Sequence, residues 1–212
     1  MSPMRILGKL FGSDARVKIL RLFLFNPEEV YANAEVASRA RVYSSTARRE
    51  IALLSRLGLI KKKFCYREAV GTPASPRYVA KRSRIAGWGL NEKFPYLGAL
   101  QGFFLGTAPI REQEVLRRLQ KVGQLKLLVI AGAFLQDFGS RLDLLIVGDN
   151  IRVAALETAI RRLEAELGRE LRYAVFSTAD FEYRLNVYDR LIRDVLDYPH
   201  QKVINRLELG SS

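Results

Sequence analysis

Cysteine and histidine are almost missing from this chain. Cys65 and His200 are the only ones among 212 residues, so no disulfide can close within one copy and the fold must rest on an apolar core. A metal cage built from those residue types is excluded as well, and no carboxylate cluster with metal-ligand spacing replaces it. No apolar run approaches the roughly 20 residues that a spanning helix requires. The opening Met1 to Phe11 carries Arg5 and Lys9 in a short apolar pattern without a small-residue cleavage site, which is a poor signal peptide. No catalytic triad, internal repeat or low-complexity tract is present. With 49% apolar and 27% charged residues, the chain reads as a well-cored protein of the cytosol rather than a disordered one. Cys65 and His200 read as an ordinary half-buried thiol and a surface or capping imidazole.

Acidic residues are scarce in one part only. Met1 to Leu90 holds 18 Lys and Arg against 6 Asp and Glu, a balance of +12, whereas Asn91 to Ser212 holds 17 against 16, or +1. A basic excess confined to a domain-sized segment creates a local positive potential that attracts polyanions.

The periodicity of that segment gives its shape. Ser13 to Phe25 places Val17, Ile19, Leu20, Phe23 and Leu24 on one broad face, with Ser13 as its cap, and Asn26-Pro27 stops it. Asn33 to Ala40 predicts a second helix with Val36, Ala37 and Ala40 inward. Ser45 to Leu57 predicts a third, with Ile51, Leu53, Leu54 and Leu57 at helical spacing and Gly58 ending it. Ser44, Ser45, Thr46, Arg48 and Arg49 crowd its first turns. Short hydroxyls allow close approach to phosphates, and arginine reaches the O6/N7 edge of guanine in the major groove. Lys61, Lys62 and Lys63, a Gly/Pro/Ser turn, and then Lys81, Arg82 and Arg84 predict a basic hairpin over about residues 59–84. The plainer alternatives are that these cations only keep the surface solvated, or that the unit docks on protein. A membrane surface is the weakest partner, because no basic helix also presents a bulky apolar face.

Three short helices and a basic hairpin resemble the winged helix-turn-helix of the ArsR-like transcription regulators. The resemblance covers about the first 85 residues and rests on "LFGSDARVKILRLFL", "SSTARREIALLSRLGLI" and the lysine-rich strand after Gly58. It implies a homodimer on double-stranded DNA, reading half-sites roughly 34 Å apart.

Beyond it, Gly87 to Asn91 reads as a connector in which Trp88 packs two domains together, Leu97 to Leu105 as a buried helix, and Ile110 to Val122 as another helix. Leu125 to Ala131, Leu142 to Val147 and Leu171 to Phe176 are strand-like. Between the last two, Val153, Leu156, Ile160, Leu163 and Leu167 mark a strong amphipathic helix. Thr178 to Leu209 continues in helical spacing, broken at Pro199. Strand, strand, helix, strand indicates a small α/β domain.

This order resembles a minimal nucleotidyltransferase domain of the DNA polymerase β-like superfamily, from about Leu125 onward. The resemblance implies a Gly-Ser pair for phosphate, two carboxylates one residue apart for two metal ions, and a third on a later strand. The matching positions read Gly132-Ala133, Arg141-Leu142-Asp143 and Arg172-Tyr173. One ligand of three remains, and a guanidinium where a metal pair needs an anion repels it. Asp137, Asp149 and Glu170 are the nearest stand-ins. Catalysis, metal and cofactor are therefore not expected. Arg141 either pairs internally with Asp143 or, with Gly132 and Asp143, forms an anion pocket for a nucleotide effector.

The expected architecture is α+β: a winged helix-turn-helix over 1–88, a helical connector over 89–123 and a nucleotidyltransferase-like domain over 124–212. The expected function is DNA-binding regulation without enzymatic activity, the rear domain serving packing, dimerisation or effector sensing. The alternative is an active nucleotidyltransferase whose front domain presents the substrate.

Overall fold

The computed structural model describes residues 3–68, 82–107, 110–137 and 139–209. Four helices open the chain: α1 (Pro3–Leu10), α2 (Asp14–Leu24), α3 (Asn33–Ala40) and α4 (Ser44–Arg56). Ser13 caps α2 by accepting from the Arg16 N–H at 3.2 Å, and Gly58, at φ +78°, follows α4 where an L side chain would be strained. Val17, Leu20, Phe23, Val36, Ala40, Ile51 and Leu54 meet in one core. Within it the buried Glu50 accepts from Arg16 Nε at 2.8 Å, tying α4 to α2.

A hairpin of β1 (Ile60–Glu68) and β2 (Arg82–Leu90) follows, antiparallel with Ile60 opposite Leu90 and Lys62 opposite Trp88. Its second strand takes in Gly87 to Leu90, the residues read as a connector. Tyr31 adds a bridge to Trp88 on the free edge of β2, and a Cβ on Gly87 would lie 2.7 Å from the Tyr31 carbonyl oxygen. Trp88 accordingly belongs to the hairpin and donates from Nε1 to Asn33 Oδ1 at 2.9 Å.

Helix α5 (Leu97–Gly106) corrects a second expectation. Only Phe104 is buried, while Phe103 is 41% exposed and Gly98, Gly102 and Gly106 face open space. An uncharged apolar run reads as buried in a sequence because periodicity does not say where the neighbours are.

After α6 (Glu112–Leu119), strands β3 (Gln124–Ala131), β4 (Leu144–Asp149), β5 (Tyr173–Phe176) and β6 (His200–Asn205) form one sheet in the order β5-β4-β3-β6. The parallel pair β4 and β5 is connected through α7 (Val153–Leu167). Alternation divides the sheet between two cores. Leu128, Ile130, Leu144 and Ile146 pack with α6 and α7. Leu127, Val129, Leu145 and Val147 pack with Phe181 of α8 (Thr178–Asn186) and Ile192 and Val195 of α9 (Arg190–Leu196). Strand β6 follows Pro199, where the helical spacing was expected to break. The fold is thus mixed α+β with two small sheets.

The two parts meet along α7, which packs on α2 and α3. Asn26 Nδ2 donates to the Gly168 carbonyl oxygen at 2.7 Å, Arg39 pairs with Glu170, and a Cβ on Gly168 would come within 2.6 Å of the Arg21 backbone carbon. Arg21 is buried at this seam, donating to the Thr107 carbonyl oxygen at 3.2 Å and hydroxyl at 3.0 Å. Desolvation, opposed by the charge of Glu166, pushes its guanidinium down to about 10, so it remains charged at neutral pH.

Candidate nucleic-acid interface

The inward side of α4 is used up by the core, and its outward side is not. Ala47, Glu50, Ile51 and Leu54 are buried. Ser44, Ser45, Arg48, Arg49, Ala52 and Arg56 are exposed, with Thr46 half-buried. Steps of three and four carry Ser45, Arg48, Arg49, Ala52 and Arg56 along one ridge. No side chain caps the start of α4, which leaves the backbone N–H groups of its first turn available to an anion. Arg48 and Arg56 have no ion-pair partner among the described residues. Arg49 approaches Glu50 Oε1 only at 3.8 Å, because that carboxylate is held by Arg16.

The hairpin continues the basic surface, with a division of labour among its lysines. Lys61 and Lys62 are exposed, and the Lys62 ammonium stands 5.9 Å from the Trp88 ring. Lys63 is turned back: it bonds Glu92 Oε1 at 3.0 Å, and its stem fills the space a Cβ on Gly89 would occupy. That hydrogen bond and the charges of Lys63 and Lys61 hold the Glu92 carboxyl below the usual range. Arg84 is exposed, its guanidinium 3.8 Å from the Phe64 ring centre. Arg82 enters as β2 backbone. Lys81 lies outside the described residues.

Four residues of this surface were not singled out from the sequence. Tyr43, at the head of α4, is 85% exposed, and Phe64 and Tyr66 are 57% and 70% exposed. The signal for Phe64 and Tyr66 is the i, i+2 spacing with Lys62. Arg56 was signalled by its helical spacing from Arg48 and Ala52.

The rear site differs from expectation in each member of the set Gly132, Arg141 and Asp143. Arg141 does not pair with Asp143; it bonds Asp194 Oδ2 from Nε at 3.0 Å. Asp143 is wholly buried, accepting from the Ala133 N–H at 2.7 Å and the Arg172 N–H at 2.8 Å, with Arg172 Nε at 3.5 Å. Gly132, at φ +51°, leaves room for that carboxylate rather than for a ligand, since a Cβ there would lie 2.2 Å from Asp143 Oδ1. Arg141 and Asp143 therefore take different partners, and the physical reason is that Asp143 stitches the end of β3 to the strand flank at Arg172.

The stand-in carboxylates are dispersed too. Asp137 accepts from the Gly139 N–H at 3.1 Å, and Glu170 pairs with Arg39. Asp149 is gripped by the N–H and hydroxyl of Thr178, which hold its carboxyl below the usual range. Among the described residues no three His, Cys, Asp or Glu side chains are grouped to hold a metal ion. Arg141 instead borders an open cleft of about 390 Å³ with Ser140, Arg190, Asp194 and Tyr198. Cys65 is half-buried, and His200 Nδ1 lies 2.8 Å from the Tyr198 carbonyl oxygen.

Among the described residues, no helix is long and apolar enough to cross a membrane. Comparison with models of known protein families, with curated proteins and with solved structures found no match.

Proposed function

We propose that this protein is a DNA-binding regulator in which α2, α3, α4 and the β1–β2 hairpin act as a winged helix-turn-helix. In this reading α4 enters the major groove, where Arg48 and Arg49 reach base edges while Ser44, Ser45 and the open amides of the first turn take phosphate. Lys61, Lys62, Arg82 and Arg84 lie along the flanking backbone as the wing, with Lys81 at its distal end by sequence. The observation that carries the reading is the ridge of exposed arginines on α4, where Arg48 and Arg56 have no ion-pair partner among the described residues and Arg49 reaches Glu50, already held by Arg16, only at 3.8 Å. Solvated surfaces intersperse both signs; this one does not.

The rear unit, proposed as nucleotidyltransferase-like in architecture, serves here as a platform and not as an enzyme, because Asp143 spends its oxygens on backbone N–H groups. An anionic effector would have to enter the cleft at Arg141 and Arg190 rather than the set around Gly132. A homodimer finds its surface in α5. This helix has no charge to repel a second copy, and three glycines at steps of four against which no described residue packs. Ile6 and Leu10 of α1 are exposed as well, and Phe11, just beyond that helix, touches Phe103 with ring centres 6.0 Å apart.

The test is duplex binding by the full chain across salt. Contact with 6 to 10 phosphates predicts a loss of about a thousandfold or more between roughly 50 and 200 mM. A flat dependence refutes the reading.

A further inference from the structure

The hairpin has a face that duplex contact alone does not explain. Side chains alternate along a strand, and directly opposed residues share a face. Ile60, Lys62, Phe64 and Tyr66 of β1 thus stand on one side with Leu90, Trp88, Ala86 and Arg84 of β2. At its base this face is core: Ile60 and Leu90 are buried and Trp88 is fastened to Asn33. Farther out it leaves the helices behind, and instead of turning polar it carries Phe64 and Tyr66 in the open.

What surrounds these rings narrows the partner. Arg84 lies over Phe64 at 3.8 Å, Lys62 lies near Trp88 at 5.9 Å, and the small, exposed Ala86 stands opposite Phe64. Glu92, beside the inner part of the hairpin, is occupied by Lys63. Rings interleaved with cations match a ligand that alternates π-faces with negative charge. Phe64 and Tyr66, two residues apart on one strand face, have Cα atoms about 6.8 Å apart, twice the roughly 3.4 Å rise of a nucleic-acid strand, so the two aromatic positions keep step with alternate bases. Base stacking on aromatic side chains tolerates any sequence, because every base has a π-face.

We infer that the outer half of this hairpin is a stacking platform for unpaired bases, with Phe64 and Tyr66 each holding a base and Arg84 and Lys62 the flanking phosphates. The inference rests on the duplex-binding reading and adds to it a preferred substrate: duplex DNA bordered by a single-stranded or opened segment.

The test compares full-length protein on a blunt duplex and on the same duplex with a short single-stranded overhang, with vesicles of neutral and anionic phospholipid as a third arm. The overhang duplex is expected to bind about tenfold more tightly. Replacing both rings, Phe64→Leu with Tyr66→Leu, should bring the ratio to within about twofold, and Phe64→Trp should preserve it. Both positions are exposed, so the variants keep the core. Equal binding of the two duplexes by the unmodified protein overturns the inference while leaving duplex binding intact. A ratio that survives the leucine pair overturns it too, as does a leucine pair that loses only vesicle binding. Failure to bind either duplex removes the duplex reading, and the platform with it.

Discussion

The front and rear of this molecule handle arginine in opposite ways. In the rear, arginines are mostly met by carboxylates: Arg118 by Glu114 and Glu166, Arg141 by Asp194, Arg161 by Glu157, Arg184 by Asp180 and Asp189, Arg193 by Asp197. In the front, Arg48 and Arg56 stand along α4 with no such partner among the described residues, and Arg84 lies on a ring. Among the front carboxylates Glu50 goes to Arg16 and Glu35 to the Ala32 N–H, and Glu92, just beyond the front, goes to Lys63. Net charge is therefore the visible part of a difference in pairing. A paired arginine holds a protein together, whereas an unpaired one is available to a partner.

That contrast can be broken most decisively by salt: duplex affinity should fall about a thousandfold or more over the range given above, while the midpoint of thermal unfolding moves little. The rear offers the next largest effect. Asp143→Ala strands the N–H groups of Ala133 and Arg172 and should cost about 3 kcal/mol of stability by chemical denaturation, leaving the salt slope of DNA binding unchanged. Mg²⁺ that raises the stability of the unmodified protein but not of Asp143→Ala would instead mark Asp143 as a ligand. Exchanging equivalent cations sharpens the comparison. Arg48→Ala should weaken a preferred duplex by about 1 to 3 kcal/mol and blur its preference, and Arg161→Ala, in an exposed helix pair, should change stability by no more than about 0.5 kcal/mol and binding not at all.

The smallest effect concerns the one hairpin lysine that is spoken for. The Glu92 carboxyl is held below its ordinary range, so its bond to Lys63 persists at neutral pH and is lost only as pH falls through that lowered value. Glu92→Gln at neutral pH should free Lys63 for phosphate, tightening duplex binding about twofold and steepening the salt slope by about one ion.

Local grammar made much of this readable beforehand. Helix α3 lies over Asn33–Ala40 as its alanine and valine spacing requires, and α7 spans the run from Val153 to Leu167 before Gly168 turns at φ +79°. Partner choice across the chain was not readable. Asp143 chose Arg172, 29 residues onward, over Arg141 two residues back, because alternate residues share a face only while the strand lasts, and β4 begins at Leu144. Lys63 looked like its neighbours until Glu92, beyond the far strand, folded against it. The exposed side of α5 illustrates the same limit: composition reports how apolar a helix is, and tertiary neighbours decide whether it is covered.

Gly168 has a practical consequence for anyone dissecting this protein. Its backbone is seated so closely on that of Arg21 that neither part ends where the other starts, and Asn26 grips the same spot from α2. Severing the chain between front and rear would uncover a guanidinium lodged beside Thr107 and leave α2 without its buttress. A truncated front would then be a wounded molecule, and weak binding by such a fragment would measure the injury rather than the intact grip.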